Sequence, residues 1–249
     1  MKKVFSLLVL FFLLISCQNT TTVNSKVTAR TTQIDSLTKQ DSLIIKEFLP
    51  YKTKMIAEIN KVLSYTPKNI TRNDGELQSS LGNLLADLCF EKSNEIFKRE
   101  TGKIVDFSMF NHGGIRAGIT KGEVKVINAF NLMPFENTLV VVELSYTKVK
   151  ELFDYFINEN IANPLSKNVQ LTIKGNEYHV KIKGKPLDSS KTYFVATSNY
   201  LQSGGDRMNF FKDPVNLFES NFLMRNAIVD YFKSKDTLIS NLDSRVIIR

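Results

Sequence analysis

The sequence predicts an α/β or α+β domain, and three observations carry that expectation. Stretches with apolar residues three and four apart alternate along the chain with short, strongly β-prone runs. Two alternating runs, 169–173 and 178–182, flank Gly175-Asn176 and read as a β-hairpin. About 210 residues follow the polar N-terminal stretch, enough to bury one sizeable core.

Taken in order, residues 1–16 have the form of a signal peptide. Lys2 and Lys3 precede an apolar run over 4–15, too short and wrongly flanked for a spanning helix. Its ending, Leu14-Ile15-Ser16-Cys17, looks like a lipobox, cut before Cys17 and lipidated on that thiol. Each buried acyl CH₂ contributes about 0.8 kcal/mol, so several chains anchor firmly. Residues 17–36 are Thr-, Ser- and Gln-rich without apolar periodicity and read as a flexible tether, with the domain occupying 37–249.

Within 44–63 the apolar spacing is helical, interrupted by Pro50, so a helix is expected from about residue 51 after a separate first turn. Pro67 closes that region. Leu81, Leu84, Leu85, Leu88, Cys89, Ile96 and Phe97 mark one face of a helix ending near Thr101-Gly102. The run 104–110 reads as a buried strand and 138–144 as another. Val149, Leu152, Phe153 and Phe156 mark a helix that ends before Pro164. After the hairpin come a buried strand at 194–197, a helix at 222–232 and a short last strand at 246–248. No internal repeat is visible.

Formal charge is +8, or +6 without the two leader lysines. That balance favours anionic substrates or lipid headgroups and says nothing about fold. No dense Lys/Arg run with interleaved aromatics occurs, which argues against nucleic acid. With Cys17 lipidated only Cys89 remains, so an internal disulfide is excluded, and its helical spacing with Leu81, Leu85 and Leu88 makes it a buried small hydrophobe.

The chemistry gathers at loops. After the strand at 104–110 come Asn111-His112-Gly113-Gly114 and then Arg116. Paired glycines give a turn that lets the backbone approach a ligand without Cβ interference, and Asn111 and Arg116 offer an amide edge and a forked cation beside it. A second turn, Met133-Pro134-Phe135-Glu136-Asn137, sets an aromatic ring next to a fixed kink. An amide, an arginine and a phenylalanine at two strand-end loops are the inventory of a small-molecule site.

NHGGIRAG followed by LMPFENTLVVVEL resembles the C-terminal domain of the 5′-nucleotidases, the family that includes UDP-sugar hydrolases. KTYFVATSNYLQSGGDRMNFF at 191–211 and LGNLLAD at 81–87 resemble two further blocks of that domain, in the same order, over residues 51 to the end. Four ordered blocks are far more specific than Gly-Gly-x-Arg alone. The resemblance implies a layered α/β/β/α sandwich in which Phe135 and Tyr200 stack on a substrate base. It also implies that Asp206 accepts from ribose hydroxyls. Asn111 would reach the base or sugar edge, Asn137 would add a polar contact beside the ring, and Arg116 would meet ribose and phosphate. Gly114 would give the ligand room, and His112 has no role.

Two departures matter. The family carries further phosphate-holding arginines just before the Leu-Gly-Asn block, where this chain has Asn73-Asp74-Gly75-Glu76-Leu77-Gln78, with Arg72 only nearby. A Ser-Gly near the nucleoside appears here as Ser166-Lys167, where Lys167 either restores positive charge or narrows the pocket. Hydrolysis in the family belongs to a separate two-metal domain with Asp, His and Asn ligands. This sequence has two histidines, His112 and His179, too few for that constellation, so no catalytic or metal-ligating residue is expected here. Divalent metals are expected in a partner phosphatase. The resulting expectation is the nucleoside- or nucleotide-recognising subunit of a split 5′-nucleotidase or UDP-sugar hydrolase. It would be anchored by lipid in the bacterial cell envelope, on the periplasmic face, and work with a metallophosphatase chain. The alternatives are a non-catalytic nucleoside-binding lipoprotein or a scaffold.

Overall fold

Polar and apolar residues at helical spacing run through 42–59. In the computed structural model, which describes residues 28–175 and 177–249, the first helix is α1, Ser42–Ile59. Asp41 caps it, its Oδ1 accepting from the Leu43 amide at 2.9 Å. The lipobox, Cys17 and the start of the tether lie outside the described residues. No helix among the described residues is long and apolar enough to cross a membrane. The chain divides into a unit ending at Glu47 and a second, Phe48–Arg249, which holds the core.

The expected break at Pro50 does not occur: α1 runs through it, with no residue of the helix buried. Proline removes one backbone bond and crowds the carbonyl four residues earlier, which bends or weakens a helix without necessarily ending it. The helix also ends before the last residues of the expected 44–63 span. Val62 and Leu63 belong to strand β1, Val62–Thr66, which pairs antiparallel with β3, Gly122–Lys125. The strand closes before Pro67, and its alternation is too short to separate from a fading helical pattern.

Helix α2, Ser80–Thr101, follows its sequence signals closely. Ser79 accepts from the Gly82 amide at 3.0 Å as N-cap, and Gly102, at φ 73, closes the other end with its amide on the Lys98 carbonyl at 2.9 Å.

The central sheet has the order β2-β8-β4-β9: Phe107–Ser108, Thr192–Ser198, Thr138–Ser145 and Asn216–Leu223. β4 is antiparallel to both β8 and β9, and β2 is parallel to β8. The strand expected over 104–110 contracts to β2. Ile104 is exposed, and on its far side the segment bonds to loops rather than to a strand, with Ser108 donating to Ser166 Oγ and Phe110 to the Pro164 carbonyl. β9 was not foreseen, and Phe222, expected in a helix, belongs to it; the helix α6 is Met224–Lys233. β9 leaves much of itself exposed, so no apolar alternation announces it. Pleating sorts the sheet's faces: Val141 and Ala196 pack with Phe97 of α2. Their neighbours Val142 and Val195 join the main core with Phe153 and Phe156 of α4, Tyr146–Asn158.

The second sheet runs β10-β5-β6-β7, Val246–Ile248, Val169–Lys174, Glu177–Ile182 and Lys185–Pro186. The expected hairpin forms, β5 pairing antiparallel with β6 from Val169↔Ile182 to Lys174↔Glu177. β10 lies parallel to β5. Val169, Leu171, Val180 and Val246 enter the same core as Val142 and Val195, so two sheets and their helices share one interior, an α/β fold. Arg245, ahead of β10, is buried within that interior. Its guanidinium donates to Asp87 of α2 at 2.9 Å, to Asp243 at 2.7 Å and to the Leu165 carbonyl at 2.6 Å.

Candidate functional site

Where strands of the central sheet end, their loops converge. β2 runs out into Phe110 and then a 3₁₀ turn, His112–Gly114. Helix α3, Val126–Leu132, delivers the Met133–Asn137 turn into β4. β8 passes into the short helix α5, Asn199–Gln202, and then a 3₁₀ turn, Gly205–Arg207. The three loops enclose a cleft of about 280 Å³ lined by Asn111, Gly113, Gly114, Arg116, Phe135, Asn137, Tyr200 and Asp206. All seven residues singled out from sequence for ligand contact therefore fall on one cleft, with Gly113 added.

Each wall is held from behind. The His112 amide donates to Asn163 Oδ1 at 2.9 Å, and its Nε2 lies 3.0 Å from Asn73 Oδ1. Burial pushes the His112 pKa down and the nearby Arg72 guanidinium adds to the shift, so the ring is neutral near neutral pH. A Cβ at Gly114 would lie 2.8 Å from Asn111 Oδ1, so only glycine lets that amide fold over the turn. Arg116 stands 5.9 Å from the Phe135 ring centroid and donates to the Gly113 carbonyl at 3.3 Å. Arg225 braces the other side of the Phe135 turn, donating to the Phe135 carbonyl at 3.4 Å and lying 4.4 Å from the Phe130 ring centroid.

The opposite wall is one connected unit. Tyr200 Oη donates to Asp206 Oδ1 at 2.8 Å, and Asn111 Nδ2 donates to Asp206 Oδ2 at 2.6 Å. Tyr155 Oη donates to the Asp206 carbonyl at 2.9 Å. Asp206 itself sits at φ 50, ψ 29, in the left-handed region that Asp tolerates better than most residues. Asn199 Oδ1 accepts from both the Thr138 amide at 3.0 Å and the Tyr200 amide at 2.9 Å, joining the two ring-bearing segments.

Phe135 and Tyr200 are 40 % and 42 % exposed, which separates them from the rings of the core. Two open aromatic faces, a carboxylate, two amides and a guanidinium suit a flat ring joined to a hydroxyl-bearing group. They offer no nucleophile with a paired base. Among the described residues no group of three or more His, Cys, Asp or Glu side chains could hold a metal ion.

Two sequence expectations fall elsewhere. The Lys167 ammonium is 3.5 Å from Glu91 and lines no part of the cleft, and Ser166 is buried under Ser108. Arg72 lines a neighbouring hollow with His112, its guanidinium on the Ile115 carbonyl. The supporting residues Asn163, Asn199, Tyr155 and Arg225 were not foreseen. Asn199 had a faint signal, a polar residue between a β-prone run and the flagged Tyr200, while the others carry none.

An α/β domain with a cleft built from strand-end loops is the class this fold and site define. The chain belongs to the family described as 5′-nucleotidase, C-terminal domain, which matches residues 55–213. It is 28 % identical over 204 residues to the trifunctional nucleotide phosphoesterase protein YfkN of Bacillus subtilis, covering 72 % of this chain and 13 % of that one. It is 29 % identical over 140 residues to protein UshA of Escherichia coli, covering 53 % and 25 %. Among solved structures, a 5′-nucleotidase precursor from Thermus thermophilus shares the fold at a TM-score of 0.67 and 23 % identity, covering 84 % of this chain and 43 % of that one. The chain thus spans less than half the length of each of these relatives.

Proposed function

We propose that this domain recognises nucleosides or nucleotides, stacking the base between Phe135 and Tyr200, and acts with a metallophosphatase on another chain in nucleotide catabolism. The observation that carries the reading is the cleft, where two exposed rings stand together with Asp206, Asn111, Asn137 and Arg116. Exposed rings cost solvation of apolar surface unless a ligand covers them, and stacking contributes about 1–3 kcal/mol per base while tolerating different bases. Asp206 supplies acceptors for sugar hydroxyls and Arg116 a charge for phosphate. Metals on the partner would carry the hydrolysis. The Cys17 lipobox would tether the domain to the cell envelope on its periplasmic face, and co-anchoring would raise the effective concentration of both chains. Family membership and the names of the relatives, which include a nucleotide phosphoesterase, support the substrate class.

Calorimetry with nucleosides tests the reading. Phe135→Ala should weaken binding by about 1–3 kcal/mol, and Tyr200→Ala by a similar amount. Absence of binding at millimolar ligand by the folded chain would refute it and leave a scaffold. The partner claim is separate: added domain should lower the KM of a cognate metallophosphatase for nucleotides. A phosphatase indifferent to the domain would reduce the role to nucleoside capture.

A further inference from the structure

We infer that Tyr200 sets how strongly the cleft reads the sugar: its phenol occupies one oxygen of Asp206 and makes the site tolerant of 2′-deoxy sugars. This deepens the nucleoside reading above and rests on it. In this structure both oxygens of the Asp206 carboxylate accept from protein donors, Oδ1 from Tyr200 Oη at 2.8 Å and Oδ2 from Asn111 Nδ2 at 2.6 Å. The phenol is not free to swing aside at no cost. A Cβ on Gly205 would lie 2.5 Å from Tyr200 Cζ, so the ring lies directly against that backbone. The Asp206 carbonyl is held as well, by Tyr155 at 2.9 Å. The neighbouring carboxylate raises the Tyr200 pKa above its ordinary value, which keeps the phenol protonated and donating.

A cis-diol would offer one hydroxyl to each carboxylate oxygen. An oxygen that already accepts a charge-assisted bond gains less from a second donor than an open one does. The phenol thus does inside the protein part of what a sugar hydroxyl would do, and the loss of the 2′-hydroxyl costs little. Phenylalanine at this position would keep the aromatic wall and leave Oδ1 open.

The test is calorimetry on the full chain with adenosine, 2′-deoxyadenosine, uridine and 2′-deoxyuridine, for wild type, Tyr200→Phe, Asp206→Asn and the double variant. Circular dichroism melting establishes that each is folded. The wild type should bind each ribo/deoxy pair within about threefold. Tyr200→Phe should raise that ratio about tenfold by tightening the ribonucleoside, and the rise should vanish in the Asp206→Asn background. A ratio unchanged by Tyr200→Phe, or equal weakening of both members of each pair, would overturn the inference while leaving nucleoside recognition standing. Failure of all four compounds to bind any folded variant would remove the nucleoside reading, and this inference with it.

Discussion

Arg245→Ala is the substitution whose cost the structure specifies most fully. The guanidinium is 3 % exposed and bonds Asp87, Asp243 and the Leu165 carbonyl. Removing it takes the guanidinium donors from the Leu165 carbonyl and from two carboxylates, leaving Asp87 the Lys167 amide at 2.8 Å and Asp243 the residue-245 amide at 3.0 Å. Breaking a fully buried ion pair costs about 3–5 kcal/mol. Asp87 is 20 % and Asp243 44 % exposed, so water recovers part of their solvation and the expected loss falls to about 2–4 kcal/mol. For a domain this size that lowers Tm by roughly 5–15 °C, read from calorimetric or dichroic melts backed by urea titration. Arg245→Met combined with Asp87→Asn should recover part of the loss, because packing is kept and one unpaired charge is gone. The same cluster makes stability acid-sensitive. Burial pushes the Asp243 pKa up, but the bonds and charge of Arg245 outweigh it and the net direction is down. That contribution is therefore present above the ordinary carboxylate pKa near about 4 and is lost as pH falls through the lower folded value. Arg245→Ala should flatten this acid dependence. A loss below about 1 kcal/mol, with acid sensitivity unchanged, would refute the account.

Gly205→Ala should displace the Tyr200 ring, since the new methyl would sit 2.5 Å from Cζ. Nucleoside affinity should fall about tenfold with Tm nearly unchanged, and unaltered binding would show that the ring's seat on the backbone is irrelevant to the cleft. Cys89 is fully buried and burial raises its thiol pKa, so in a Cys17→Ser chain an aromatic disulfide reagent at pH 8 should label nothing until denaturant unfolds the domain. Rapid labelling of the native chain would contradict the packing of α2.

Long, well-capped elements were legible in the sequence because their local signals agreed with their environment. α2 carries its serine cap, its apolar face and its closing glycine within the segment itself. β4 is a β-prone run buried almost throughout. The misreadings arose where partners decide. β9 is a strand because β4 supplies its hydrogen bonds, and NLFESNFL by itself shows no clean period. β1 lies directly behind a helix whose apolar spacing runs into it. Turn chemistry marks Asn111, Arg116 and Phe135, through Gly113-Gly114 and Pro134, whereas Tyr200, Asp206 and Asn137 take their roles from the resemblance to the family's blocks. What sequence could not show is how they bond to one another. The contacts of Asp206 with Asn111, 95 residues away, and with Tyr155, 51 residues away, depend on the whole fold.

Asn199 gives this architecture a property of a different kind. Because its one side-chain carbonyl oxygen accepts from main-chain amides at the start of β4 and the start of α5, the gap between the Phe135 and Tyr200 segments is gauged by Asn199 rather than by the rings. Ring identity can therefore change without resetting the gauge, much as a vice accepts new jaw plates on the same screw. Selectivity among flat ligands can then drift by single substitutions on the jaws. Loss of Asn199 would instead alter the opening for every ligand at once.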